Sequence, residues 1–210
     1  MTRRHLLPLL GLVLLAALTS YLLRNSRSVG QYVGNSASVM QIQEDKSSPQ
    51  AVHGNADLTV VMFTDYQCPA CRKADPALRA ALARDGNVRV VYKDWPIFGE
   101  RSEYAAKVAL AAHRQGIYSA VHHALMNAPS LDHAALREVI VRAGGDWTQL
   151  QVDLALHGPA IADQLAFNGR QAFSLGLQGT PGYLVGPRLV KGALTEREFL
   201  RAFEQARSSS

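Results

Sequence analysis

Leu58-Thr59-Val60-Val61-Met62-Phe63-Thr64-Asp65-Tyr66-Gln67-Cys68-Pro69-Ala70-Cys71 is the stretch on which the fold turns. Residues 58–64 form a short β-rich run, nearly all apolar, which suits a central strand covered on both faces. Cys68-Pro69 then opens a helix, because proline is favoured in a first turn, where its missing N–H is not needed. The helix is expected to pass through Leu78 and Leu82 to about Arg84 and to stop at Asp85-Gly86-Asn87. Pro76 lies inside it and should kink it. Val88 to Lys93 reads as a second strand, and strand, helix, strand at this spacing is a βαβ unit.

Cys68 and Cys71 are the only cysteines of the 210-residue chain. A bridge across two residues removes little loop entropy, so it makes a poor staple. At the start of a helix, however, a thiol faces unpaired N–H groups and the positive end of the macrodipole, and both stabilise a thiolate. Cys71, one turn later, is within reach to form a disulfide with it. Two thiolates give only half of a tetrahedral metal shell, and no second Cys-x-x-Cys follows. His122 and His123 are adjacent and so point about 100° apart on a helix. They read as surface or core histidines, and no metal or cofactor is assigned.

Outward from this unit, residues 102 to about 176 turn helical. The expected helices are 102–115, 117–126, 131–143, one capped by Asp146 and ending at His157-Gly158, and one opened by Pro159 and reaching Phe173. Sheet signals return at 183–185 and 188–191, joined by Gly186-Pro187. Thr195 and Glu198 make a capping box for a last helix to about Ala206. The fold class is α/β, with a helical insert between two β-containing halves.

Before the domain, Arg3, Arg4 and His5 precede the apolar run Leu6 to Leu23. This is the pattern of an export signal, either a cleaved peptide or an uncleaved anchor that tethers the chain to the membrane. Residues 24–51 are rich in Ser, Asn, Gln and Gly and read as a linker, so the folded domain is expected over 52–207. The net charge is +5, but Arg3, Arg4, Arg24 and Arg27 contribute four of the positive charges. The remainder is nearly balanced, which speaks against a nucleic-acid-binding face.

The segment Phe63 to Cys71, Pro76 eight residues after Cys68, Tyr92-Lys93-Asp94-Trp95-Pro96 before an Ala-rich helix, and Gly179-Thr180-Pro181 together resemble the DsbA-like branch of the thioredoxin superfamily. The resemblance covers roughly Val52 to Ala206. It implies a thioredoxin-like fold with a helical insert and a protein dithiol–disulfide oxidoreductase. It also implies an exposed nucleophile at Cys68, a buried partner at Cys71, and a redox-tuning dipeptide, Pro69-Ala70. Pro181 is implied to be a cis-proline beside the cysteines, with Thr180 presenting backbone to an extended substrate. Many relatives carry a buried acid six residues before the first cysteine, where this chain has Met62. Asp65, Lys93 or water is left to substitute in moving the proton of the buried cysteine.

The functional expectation is disulfide exchange with cysteine-containing exported proteins in the periplasm, as an oxidase regenerated by a membrane redox partner. A reductase or isomerase is the alternative within the same chemistry. A copper-binding thioredoxin-fold module is the alternative outside it, since soft thiolates suit Cu(I).

Overall fold

The computed structural model describes residues 28–209, with positions 12, 15, 16 and 19 before them. Apart from those four positions, the expected signal or anchor segment lies outside the described residues. Among the described residues no helix is long and apolar enough to cross a membrane.

The elements are β1 (Gln31–Tyr32), α1 (Ala37–Gln43), β2 (Gln50–Val52), β3 (Leu58–Thr64), α2 (Pro69–Asp85), β4 (Val88–Asp94), α3 (Glu100–His113), α4 (Tyr118–Asn127), α5 (His133–Arg142), α6 (Trp147–Ser174), β5 (Gly182–Val185), β6 (Arg188–Lys191) and α7 (Glu196–Arg207). The sheet order is β1-β6-β5-β3-β4-β2. Among the described residues only β3 and β4 run parallel, with Leu58 opposite Val88 and Thr64 opposite Asp94. The other pairings are antiparallel.

Strand alternation sends successive side chains to opposite faces, so each face has its own core. Leu58, Val60, Met62, Val88, Val90 and Tyr92 pack with Leu78 and Leu82 of α2 and Phe199 and Phe203 of α7. Val61, Phe63 and Val91 pack on the opposite face with Val39 and Ile42 of α1 and Ala172 of α6. The β3–α2–β4 unit stands where the sequence puts it, and Gly86 ends α2 in the left-handed region at φ 77°. An L side chain there is strained, which is why a glycine closes this turn.

Phe199 anchors α7 to the sheet. It is fully buried and meets Tyr183 edge-to-face at 5.0 Å between ring centroids. Phe199→Ala is therefore expected to cost about 3–5 kcal/mol, through lost burial and the cavity left behind. A shift of the urea midpoint at constant slope measures it.

Two expectations are corrected. Residues 31–52 do not run as a featureless linker: β1 adds to the edge at β6, α1 covers one sheet face, and β2 pairs with β4. Ser36 caps α1 by accepting from the Val39 N–H. The buried residues of α1 are Val39 and Ile42, three residues apart, enough to seat one short helix but too few to show a period. The second correction is that the helices expected on either side of Pro159 are one helix, α6. Leu150, Ile161, Leu165 and Ala172 are all buried along it. Their spacings of 11, 4 and 7 residues hold one face in phase across Gly158-Pro159. A proline inside a helix costs roughly 3 kcal/mol, and continuous packing on both sides of it offsets that cost.

Candidate active site

Cys68 is the N-cap of α2 and Pro69 its first helical residue. The Cys68 backbone N–H donates to the Asp65 carbonyl at 3.2 Å, which sets the turn between β3 and α2. The Cys68 Sγ accepts from the Cys71 N–H at 3.3 Å, so the sulfur itself caps the helix. The same Sγ donates to the Thr180 carbonyl at 3.3 Å. The Thr180–Pro181 bond is cis. The Gly179–Pro181 loop and the Cys68–Cys71 turn, 112 residues apart at the Cys68–Thr180 contact, thus meet at the sulfur.

The two thiols are electrostatically unlike. Cys68 is lowered to about 6, chiefly by the hydrogen bond from the Cys71 thiol. Burial opposes this, while the Thr180 side chain and the N–H groups of Cys71 and Ala70 add to it. Burial pushes Cys71 far up, and its role as donor to Cys68 adds to that. Cys68 is therefore the member of the pair that is a thiolate at neutral pH. Titration of the reduced protein, followed by thiolate absorbance, is expected to show one transition near pH 6 and none for Cys71 across the neutral range. The ordinary cysteine pKa is about 8.5. Because Cys68 ionises more readily folded than unfolded, its contribution to the stability of the reduced fold is full above that ordinary value. It is lost as pH falls through about 6. A disulfide-bonded chain lacks this dependence.

One implied feature is corrected. Cys68 is not exposed: it is 2 % accessible and Cys71 is 3 %. The reason is the Thr180 carbonyl, which lies on the sulfur. An incoming disulfide must displace that contact.

The candidates left open for the buried acid are now separated by position. Asp65 is fully committed: one carboxylate oxygen accepts from Gln67 N–H at 2.7 Å, the other from the N–H groups of Ile97 at 2.6 Å and Phe98 at 3.2 Å. It ties the active-site turn to the 97–98 loop. Lys93 is buried on the α1 face of the sheet and pairs with Asp45. Met62 packs on the other face, with Cys71 and α2, so the sheet separates Lys93 from the thiols. On the α2 face lies a polar network that the sequence did not single out. Tyr118 Oη donates to Asp94 at 2.9 Å, and Tyr66 Oη lies 3.4 Å from Tyr118 Oη and 3.1 Å from His122 Nδ1. Burial raises the Asp94 carboxyl to about 7, against the hydrogen bonds of Tyr118 and Tyr66. Asp94 is thus a buried acid that carries a proton near neutrality. The signal that could have found it is the strand register, which sets Asp94 opposite Thr64.

A strand-to-helix turn with two cysteines in its first turn, facing a cis-proline loop, is the arrangement of a disulfide-exchange domain. Residues 59–204 match the family described as DSBA-like thioredoxin domain. The chain belongs to the DsbA-like thioredoxin family. Its fold superposes on a thioredoxin-like oxidoreductase from Silicibacter pomeroyi with a TM-score of 0.76 at 35 % identity, over 84 % of this chain and 100 % of that one. A periplasmic thioredoxin-like protein from Salmonella enterica serovar Typhimurium gives 0.70 at 25 % identity, over 83 % and 99 %. In sequence, the chain is 25 % identical over 157 residues to a Na(+)/H(+) antiporter, NhaA 1, of Mycolicibacterium gilvum, which is 73 % of this chain and 25 % of the antiporter. The matched stretch is about a quarter of the length of such curated relatives. Within the DsbA-like family, residues 59–204 are a protein thiol–disulfide oxidoreductase domain, with Cys68 and Cys71 in its Cys-x-x-Cys position.

Proposed function

We propose that the chain is an oxidase of exported proteins, passing the Cys68–Cys71 disulfide to their paired cysteines in the periplasm. The observation that carries this reading is the difference between the two thiols. A thiolate stabilised at Cys68 favours the reduced dithiol over the disulfide, so the disulfide is readily given away. Substrate thiolate attacks Cys68 Sγ, the Cys68–Cys71 bond breaks, and Cys71 Sγ leaves as a thiolate that takes up the proton given up by the second substrate thiol. The second substrate thiolate then attacks the substrate sulfur of the mixed disulfide and releases Cys68 as the thiolate. The substrate is oxidised by two electrons and the Cys68–Cys71 pair is reduced.

Thr180 and Pro181 hold the substrate chain, with the Thr180 backbone pairing in the manner of an added strand. Ile97 and Phe98, 42 % and 50 % exposed, offer apolar surface to unfolded chains beside this turn. The periplasmic assignment is supported by the export-type N-terminus and by the Salmonella relative's description. Return of Cys68 and Cys71 to the disulfide falls to a membrane redox partner.

The test is the reduction potential of the Cys68–Cys71 pair, together with turnover on reduced and on scrambled substrate. A strongly oxidising potential and oxidation of the reduced substrate are the expected results. A potential as low as that of a cytosolic reductant, or turnover on the scrambled substrate alone, rejects the oxidase reading in favour of a reductase or isomerase.

A further inference from the structure

Asp75 lies one helical turn beyond Cys71 on the buried side of α2, and α4 packs across it. His122 and His123 both turn toward its carboxylate. Adjacent helical side chains diverge by about 100°, but Asp75 sits in the notch between them and meets both. Asp75 Oδ1 is 3.0 Å from His123 Nδ1 and 3.6 Å from His122 Nε2. One ligand atom from each of the three residues falls within 4.8 Å of the others.

His122 is wholly buried, and its Nε2 has no hydrogen-bond partner. The ring tautomer of His122 decides what this atom is. Tyr118 gives its one hydroxyl proton to Asp94. Tyr66 can then donate to the Tyr118 oxygen and accept the Nδ1 proton of His122. In that tautomer His122 Nε2 is a bare lone pair facing a carboxylate oxygen; in the other, Tyr66 donates to Nδ1 and Nε2–H points at Asp75 from 3.6 Å. With the proton on Nδ1, two acceptors face each other out of water, an arrangement that a metal cation between them satisfies.

We propose that Asp75, His122 and His123 form a site for a borderline divalent transition-metal ion of the Zn(II) class, outside the Cys68–Cys71 pair. Two imidazoles and a carboxylate suit Zn(II) or Co(II) better than Mg(II) or Ca(II), which prefer all-oxygen shells. Bonds of about 2.0–2.1 Å in a tetrahedral shell put ligand atoms roughly 3.3 Å apart, between the two separations already present. Tyr66 on the far ring nitrogen of His122 is the outer partner that such a ligand ordinarily has, fixing its tautomer and tilt. Three protein ligands leave a fourth position for water, and His123, partly exposed, opens the cluster to solvent. Arg79 Nε stands 3.4 Å from the other carboxylate oxygen, Oδ2, on a half-exposed side chain. It therefore leaves Oδ1 to the histidines and weakens the site without filling it.

The experiment uses the tag-free full chain in its disulfide form, so that neither cysteine can act as a ligand. Zn(II) alone is titrated calorimetrically, and Co(II) is added separately as a spectroscopic probe. The expected result is one Zn(II) per chain, with affinity at least tenfold weaker in both His123→Ala and Asp75→Asn. Co(II) should give visible ligand-field bands with no sulfur charge-transfer band. Near-ultraviolet circular dichroism of the metal-free variants shows that they are folded; His122, being fully buried, is left in place. No saturable binding, native affinity in either folded variant, or binding confined to the reduced chain overturns the site. None of these results bears on the disulfide exchange itself, which is measured separately without metal.

Discussion

Cys68→Ser is expected to abolish disulfide exchange, whereas Cys71→Ala is expected to accumulate mixed disulfides between Cys68 and substrate. Only Cys68 combines a pKa near 6 with contact to the Thr180 loop, where a substrate chain would lie. Cys71 is buried behind it, is held protonated by that burial, and lies one turn along the helix, where it alone can release a disulfide formed at Cys68. The loss in Cys68→Ser should be complete, because a serine oxygen cannot form the intermediate. Non-reducing electrophoresis of both variants after incubation with a substrate protein gives the answer directly. Adducts with Cys68→Ser and none with Cys71→Ala would exchange the two roles.

The strand, the helix start and the two cysteines were legible because several local signals coincide in fourteen residues. A buried apolar run and a proline at the first helical position specify the same turn, and a glycine at the left-handed cap ends the helix that follows. The meeting of Cys68 with Thr180 was available only through the family resemblance, since no local pattern links residues 112 positions apart. The insert shows where pattern reading stops. Gly158-Pro159 is a strong local terminator, yet α6 continues because the buried face on either side keeps its phase, a property of packing and not of the dipeptide. The histidine pair reads as surface or core histidines, and His122 is buried, but their shared neighbour was not visible. The angle between two adjacent side chains was read correctly, but the third group that fills the notch comes from another helix. Burial of Cys68 was likewise hidden, because its cover comes from the loop before β5.

The largest loss of stability from a single exposed-looking position is expected at Asp45. It lies in the segment whose Ser, Asn and Gln content reads as linker, but its carboxylate binds Lys93, whose side chain is fully buried. Burial pulls the Lys93 ammonium pKa down, and Asp45 opposes that pull. Asp45 also accepts from Ser47 N–H at 2.8 Å and from the hydroxyls of Ser47 at 2.6 Å and Ser48 at 3.1 Å, closing the turn into β2. Asp45→Ala leaves a buried ammonium with only the face of Phe167, 5.8 Å away, as compensation. Removing one partner of a buried pair costs about 3–5 kcal/mol, whereas replacing both by apolar groups of similar volume is often neutral. Asp45→Ala should therefore lower the urea midpoint severely, and adding Lys93→Met should recover most of the loss. This non-additivity separates the buried pair from the turn hydrogen bonds, which stay broken in both variants. If Asp45→Ala costs less than about 1 kcal/mol, the range of an exposed ion pair, the segment before β3 is not integral to the fold.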